Sequence, residues 1–197
     1  MSKTNVSPPP KPLAFNGDDA NKYLKTDFFN YLNQLYQCLY FVWERTGGYL
    51  SNIPTTKYNL NTKGNAGSSA TDLLSYTLQS NSLDSDGQVI TIQGFGTFAA
   101  NANNKSLKLS FGSSVVLQTP SLAINGATWN VIAQVYRASS GAQKIIVNAS
   151  SGSSLLIAQS FYIAAKEDLS KDLQIVFNAT GVADNDIVQE GLIVQIV

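Results

Sequence analysis

The sequence contains no histidine, and cysteine occurs once in its 197 residues. Without an imidazole there is no Ser-His-Asp triad, no Cys-His dyad and almost none of the common zinc sites. The lone Cys38 excludes an intrachain disulfide and a CxxC metal or redox motif, which leaves it the role of a small packed side chain in a helix. Charge is scarce as well: Asp, Glu, Lys and Arg make up 13% of the chain, about half the share usual in soluble domains. Thirteen Lys and Arg balance thirteen Asp and Glu, with no block of either sign. Phosphate and anionic lipid are recognised by clustered cations, so neither nucleic acid nor a membrane surface is an expected partner. Residues 1–12 lack the apolar centre of a signal peptide, and no later run is long enough to cross a bilayer. A soluble product made in the cytoplasm, without membrane insertion, is expected.

The chain instead has apolar residues at 44% and a polar complement dominated by Ser, Asn, Thr, Gln and Gly. Its surface should therefore be neutral and hydrogen-bonding. The length allows one main core of about 100–150 residues plus an appendage.

Four segments follow from the patterning. Residues 1–21 combine Ser7-Pro8-Pro9-Pro10-Lys11-Pro12 with Asn16-Gly17-Asp18-Asp19. Proline fixes φ and removes donors, so this reads as an extended, Pro-rich attachment arm with Leu13 and Phe15 as apolar anchors. Residues 22–48 read as a helical attachment and trimerisation segment, capped at Thr26 or Asp27 and stopped at Gly47-Gly48. Within it Phe28, Leu32, Leu35, Leu39 and Val42 recur at spacings of four and three, which is the seam of a coiled coil. Trp43 and Arg45 close the segment, and Phe29, Tyr31, Tyr36, Tyr40 and Phe41 occupy much of the remaining circumference. One seam cannot bury all of these, which points to a partner contact or to docking on the chain's own β-domain. Residues 49–70, rich in Asn and Gly without an apolar period, read as a linker or neck.

Residues 71–197 are a succession of short strand signals. Leu74, Tyr76 and Leu78 alternate with polar residues, Val89-Ile90-Thr91-Ile92 follows an Asp86-Gly87 turn, and Leu107, Leu109 and Phe111 alternate again. Further strands are expected over 113–118, 129–137, 144–149, 155–164, 172–178 and 187–197, separated by turns such as Asn125-Gly126. Residues 161–171 have some helix propensity but read as a loop or one turn. The fold class is mainly β: a C-terminal jelly-roll-like β-sandwich preceded by an extended arm and one N-terminal α-helix. Gly94 and Gly96 mark a bulge or close backbone approach where a strand bends between sheets. Asn101, Asn103 and Asn104 suit a turn before a strand beginning at Lys105. Trp129, Phe95, Phe98, Phe111 and Phe161 read as core unless they meet a subunit contact, and Arg137 as a rim salt-bridge partner before a sugar contact.

No catalytic, cofactor-binding or metal residue is expected. Asp84 and Asp86 lack the spaced ligands and closing glutamate of an EF-hand and read as turn caps. Glu167, Asp168, Asp172, Asp184, Asp186 and Glu190 fall in turns or strand ends rather than in a facing pair, so glycosidase chemistry is not expected. Gly94-Phe95-Gly96 lacks the glycine-lysine ending of a phosphate loop.

Two stretches carry a family resemblance. Trp43-Glu44-Arg45-Thr46-Gly47-Gly48 resembles the N-terminal attachment region of small virion structural proteins of tailed bacteriophages. The run from Gly87 to Lys105, with Leu107-Lys108-Leu109, Asn125-Gly126-Ala127-Thr128-Trp129 and Tyr136-Arg137, resembles the trimeric jelly-roll heads of phage head fibres and short tail fibres. The resemblance implies a homotrimer on the virion. Arm and helix would bind capsid or tail proteins, and the head would engage a host surface, with surface glycan as its ligand. The alternative is a capsid decoration or tail-adaptor protein with a purely structural role. A cellular carbohydrate-binding or trimeric ligand domain is a third reading, disfavoured by the missing secretion signal.

Overall fold

A computed structural model describes residues 30–40, 55–152 and 159–197, with 159–161 described by backbone alone. The arm with Leu13 and Phe15, and the helix positions Phe28, Val42, Trp43 and Arg45, lie outside the described residues. The chain divides into two compact units, Met1–Ile53 and Pro54–Val197.

In the first unit residues 30–40 form helix α1. This stretch has no glycine, proline or β-branched residue, so nothing in it resists helical φ and ψ or freezes χ1. Tyr36 and Tyr40, one turn apart, stack with centroids 5.9 Å apart. Of the seam, Leu32 is half-buried, whereas Leu35 and Leu39 are 43% and 49% exposed. Cys38, expected to be packed, is exposed on α1. No helix among the described residues is long and apolar enough to cross a membrane.

The second unit is built from β1 (Thr55–Asn59), β2 (Lys63–Gly64), β3 (Thr71–Leu78), β4 (Val89–Phe111), β5 (Ser114–Gln118), β6 (Leu122–Ser139), β7 (Ala142–Ser151), β8 (Gln159–Ala165), β9 (Leu173–Thr180) and β10 (Ile187–Ile196). Every pairing is antiparallel. The first sheet has the order β1-β10-β4-β6-β7-β8, with β2 beside β10. The second has the order β3-β9-β4-β5. Strand β4 belongs to both: up to Lys105 it pairs with β6, and from Ser106 it pairs with β9. Setting aside β2 and the β7–β8 hairpin, the facing sets β1-β10-β4-β6 and β3-β9-β4-β5 are the two four-stranded sheets of a jelly roll. The β7–β8 hairpin widens the first sheet.

The bend in β4 comes from an irregularity between Ala100 and Asn104, where extra residues on β4 face β6. It also reverses the inward parity: Ile90, Ile92 and Phe98 are buried before it, and Leu107, Leu109 and Phe111 after it. A strand passing from one sheet to the opposing sheet requires this reversal, and the 100–104 irregularity is where β4 makes it. The core lies between the sheets. Trp129 sits at its middle, 6.4 Å from the Phe98 ring and 5.8 Å from the Phe177 ring.

Several expectations are corrected. The bend is at residues 100–104 and not at Gly94 and Gly96, which serve close approach instead. A Cβ on Gly94 would enter the Phe177 ring, and one on Gly96 would meet Val188 O and come 2.9 Å from Trp129 Cε2. Asn101, Asn103 and Asn104 form no chain reversal, because β4 continues through them. Asn125-Gly126 likewise lies inside β6, with Gly126 at φ 60°. The segment 49–70, expected as a linker, carries β1 and β2, and the second unit starts at Pro54. Strand β1 shows no apolar period because it is an edge strand with both faces largely solvated, held by backbone pairing to β10.

Candidate functional site

The buried charged side chains of the head are consumed by architecture. Asp186 is fully buried: Oδ2 accepts from the backbone N–H of Val182 and Ala183, both at 2.8 Å, and Oδ1 accepts from Asn101 Nδ2 at 2.7 Å. Asn103 Nδ2 adds a contact at 3.0 Å to Oδ2. Burial pushes this carboxyl up, but the hydrogen bonds from Ala183, Asn101, Val182 and Asn103 outweigh it and hold it well below its ordinary value. Lys105, also fully buried, donates through Nζ to Asn101 Oδ1 at 2.7 Å, Ile124 O at 2.8 Å and Asn103 O at 3.0 Å. Burial pulls its ammonium down, and the Asp186 charge opposes that. Together these groups fill the irregularity in β4 and satisfy its unpaired backbone carbonyls, which a buried bend demands.

Glu167 plays a similar part in the loop after β8. Its Oε1 accepts from Ser113 Oγ at 2.8 Å and from Ser114 Oγ, which clamps the β4–β5 turn, while Gln143 binds its backbone on both sides at 2.8 and 3.0 Å. Burial raises this carboxyl, and the bonds from Ser114 and Ser113 outweigh that and lower it. Asp168 accepts from Ser170 Oγ, Asp172 from Ser80 N and Asp184 from Gly67 N. Each of these carboxylates caps a loop, and no two of them are held by a common cleft. Asp86 pairs with Arg137 at 3.1 Å, and Asp84 accepts from Ser85 Oγ. Among the described residues no group of three His, Cys, Asp or Glu could hold a metal ion.

What remains is surface. On the outer face of the first sheet one cross-strand row reads Tyr58, Ile193, Gln93, Ile132 and Asn148, and the next reads Thr56, Gln195, Thr91, Gln134 and Ile146. Neither row carries a charge. Gln93 Nε2 donates to Asn130 Oδ1 at 2.9 Å and fixes that amide at the edge of a groove. The groove encloses about 440 Å³ and is lined by Phe95, Thr97, Thr128, Trp129, Asn130 and Glu190, together with the Ser150–Gly152 end of β7. Glu190 is the residue left over where β10 shifts register between Gln189 and Gly191, which turns its carboxylate toward Thr62 Oγ1 at 2.8 Å. Trp129 is 2% exposed, and its Nε1–H has no acceptor among the described residues. A buried indole N–H normally finds one, since leaving it unmade costs about 1–3 kcal/mol. A second cleft of about 410 Å³ lies at the open edge between β1 and β3, beside Tyr58 and Tyr76.

Of the residues singled out from the sequence, Trp129, Phe98 and Phe111 are core, and Arg137 makes the rim salt bridge. Phe95, expected in the core, instead faces outward and lines the groove, because it has the opposite parity on β4 to Ile92 and Phe98. The side chain of Phe161 is outside the described residues. Thr97, Thr128, Asn130 and Glu190 carry no motif; the signal available for the first three was their alternation with buried residues on adjacent strands, and for Glu190 there was none.

No family model matches the chain, and no curated protein does. Among solved structures it is similar to the CBM2 module of the evolved Dit of Lactobacillus casei BL23 phage J-1, at 10% identity and a TM-score of 0.35, over 61% of this chain and 67% of that one. It is also similar to lectin UEA-II complexed with galactose, at 10% identity and a TM-score of 0.32, over 73% of this chain and 90% of that one. A likeness to infectious bursal disease virus Gx strain has 11% identity and a TM-score of 0.21, over 74% of this chain and 37% of that one. At these values the jelly-roll assignment rests on the strand order itself.

Proposed function

We propose that the chain is a non-enzymatic fibre or spike protein of a tailed-phage virion. Three copies associate, the N-terminal arm and helix anchor them to capsid or tail proteins, and the jelly-roll heads face outward to attach to a host surface. The observation that carries this reading is the division of labour between the two units. Among the described residues, the head's core cluster runs from Leu73 to Ile196, and α1 keeps Leu35 and Leu39 exposed on a coiled-coil seam. A helix with an open leucine seam is suited to a partner, and a second and third copy satisfy it by knobs-into-holes packing. The Trp43–Gly48 and Gly87–Lys105 resemblances supply the virion context, and threefold presentation turns weak single contacts into avid attachment.

The test measures oligomeric mass by light scattering and binding to host cells and to virions lacking the protein. The fibre reading expects a trimer, saturable cell binding, and loss of virion binding in Leu35→Asp/Leu39→Asp with an unchanged melting temperature of the head. A monomer, or a head that binds no cells, overturns it. Binding to the particle alone supports the decoration or adaptor role instead.

A further inference from the structure

Resting on the attachment reading, we infer that the groove over Phe95 and Asn130 is the head's ligand site and that its ligand is a neutral saccharide. Its size, about 440 Å³, falls within the range of small-molecule sites. Its chemistry is that of a sugar: Phe95 offers an apolar ring for the C–H face of a pyranose, while Thr97, Thr128 and Asn130 offer hydroxyl and amide groups for sugar hydroxyls. Trp129 lies directly beneath the groove. It borders the same groove from the core side, with its indole buried between Phe98 and Phe177, so its emission reports on the groove without the indole touching what binds there.

Charge narrows the class. No Lys or Arg lines the groove among the described residues, and its one ionisable group is Glu190. A sulfated, phosphorylated or sialylated glycan would meet a carboxylate with no cation to offset it, so anionic ligands are excluded by repulsion and unpaid desolvation. The Glu190 carboxylate, steadied by Thr62, is an acceptor for sugar hydroxyls.

The experiment uses the full chain carrying Trp43→Phe, which leaves Trp129 as the only tryptophan. Neutral gluco-, galacto- and N-acetylhexosamine oligosaccharides and their sulfated or sialylated counterparts are titrated while Trp129 emission is followed. A saturable change with a neutral oligosaccharide is expected, weakened at least tenfold by Phe95→Ala or Asn130→Ala, each measured well below its own melting temperature because the Phe95 ring packs over Gly191 and Asn130 is held by Gln93. Glu190→Gln should narrow the gap between neutral and anionic ligands. No response to any neutral oligosaccharide overturns the proposal, as does binding that survives both replacements. If host-cell attachment persists through either result, the groove is wrong and the attachment reading stands; if cell attachment is absent too, both fall.

Discussion

Lys105 and Asp186 are joined through one side chain: Asn101 accepts from Lys105 Nζ at its Oδ1 and donates from its Nδ2 to Asp186 Oδ1, each at 2.7 Å. The amide thus sets a fully buried cation and a fully buried anion on opposite sides of the β4 bend. Buried charges are tolerable when every lone pair and proton is used, and removing one member leaves the others stranded. Lys105→Met should therefore destabilise the head by about 3 kcal/mol, which lowers the melting temperature by roughly 6–12 °C for a chain of this size. In a Lys105→Met/Asp186→Asn cycle the combined loss should fall short of the sum of the single losses; strict additivity in denaturant melts would mean that the two ends are not coupled.

Two buried carboxylates, one in this network and one in the loop after β8, fix a pH dependence. Asp186 and Glu167 both have carboxyls held below their ordinary values of 3.8 and 4.5. Below those ordinary values the unfolded chain binds protons that the folded chain refuses. Their stabilisation is therefore complete above about pH 5 and is lost as pH falls through the folded values. Lys105, lowered by burial, acts with the same sign at the alkaline end, since its cost is relieved as pH rises toward 10.5. Thermal melts from pH 7 down to pH 3 should show a steep loss of stability in the wild type and a shallower one in Asp186→Asn. Equal slopes would show that other groups govern acid unfolding.

Gly96 tests how tightly the first sheet closes on Trp129. A methyl group there meets the Val188 carbonyl and the indole at once, and backbone cannot swing aside as the tip of a long side chain can. Gly96→Ala should cost about 1–3 kcal/mol or more by overpacking. The control is Gly141→Ala, where a Cβ would find nothing within 4 Å. A Gly96→Ala protein melting with the control would mean that β10 yields at its register shift.

Much of this fold is legible in the residues. Ile90, Ile92 and Phe98 occupy even positions, whereas Leu107, Leu109 and Phe111 occupy odd ones, so the sequence itself records the reversal of parity between them. Taking Asn101, Asn103 and Asn104 for a turn hides that shift, because asparagine serves bulges and reversals alike. Here the Asn101 amide binds Lys105 and Asp186 and the Asn103 amide binds Asp186, a consequence of strands distant in sequence. Strand β1 is illegible for a different reason: Thr-Thr-Lys-Tyr-Asn buries almost nothing and is fixed only by β10, which lies far along the chain. The groove is illegible because strand pairing assembles Phe95, Asn130 and Glu190 from three strands, and because a register shift aims Glu190.

The boundary of the head gives the last prediction. Asn65 is 2% exposed and stitches the chain before β3 to the loop between β9 and β10. It accepts from Ile187 N at 2.8 Å and donates to Ala183 O at 2.9 Å, and its own carbonyl accepts from Asn185 N at 2.9 Å. A fragment starting at Pro54 retains this residue and β1. One starting at Thr71 loses both, leaving the Ile187 amide without its side-chain partner and the outer edge of β10 bare. Strand β10 then becomes an exposed edge with apolar residues, which is prone to pairing with other chains. The Pro54 fragment should melt cooperatively near the full-length head, and the Thr71 fragment at a distinctly lower temperature with aggregation at high concentration. Asn65→Ala in the longer fragment should reproduce part of the loss, about 1–3 kcal/mol, without baring the edge. Indistinguishable melts for the two fragments would place the boundary back at Thr71 and reduce β1 to a strap.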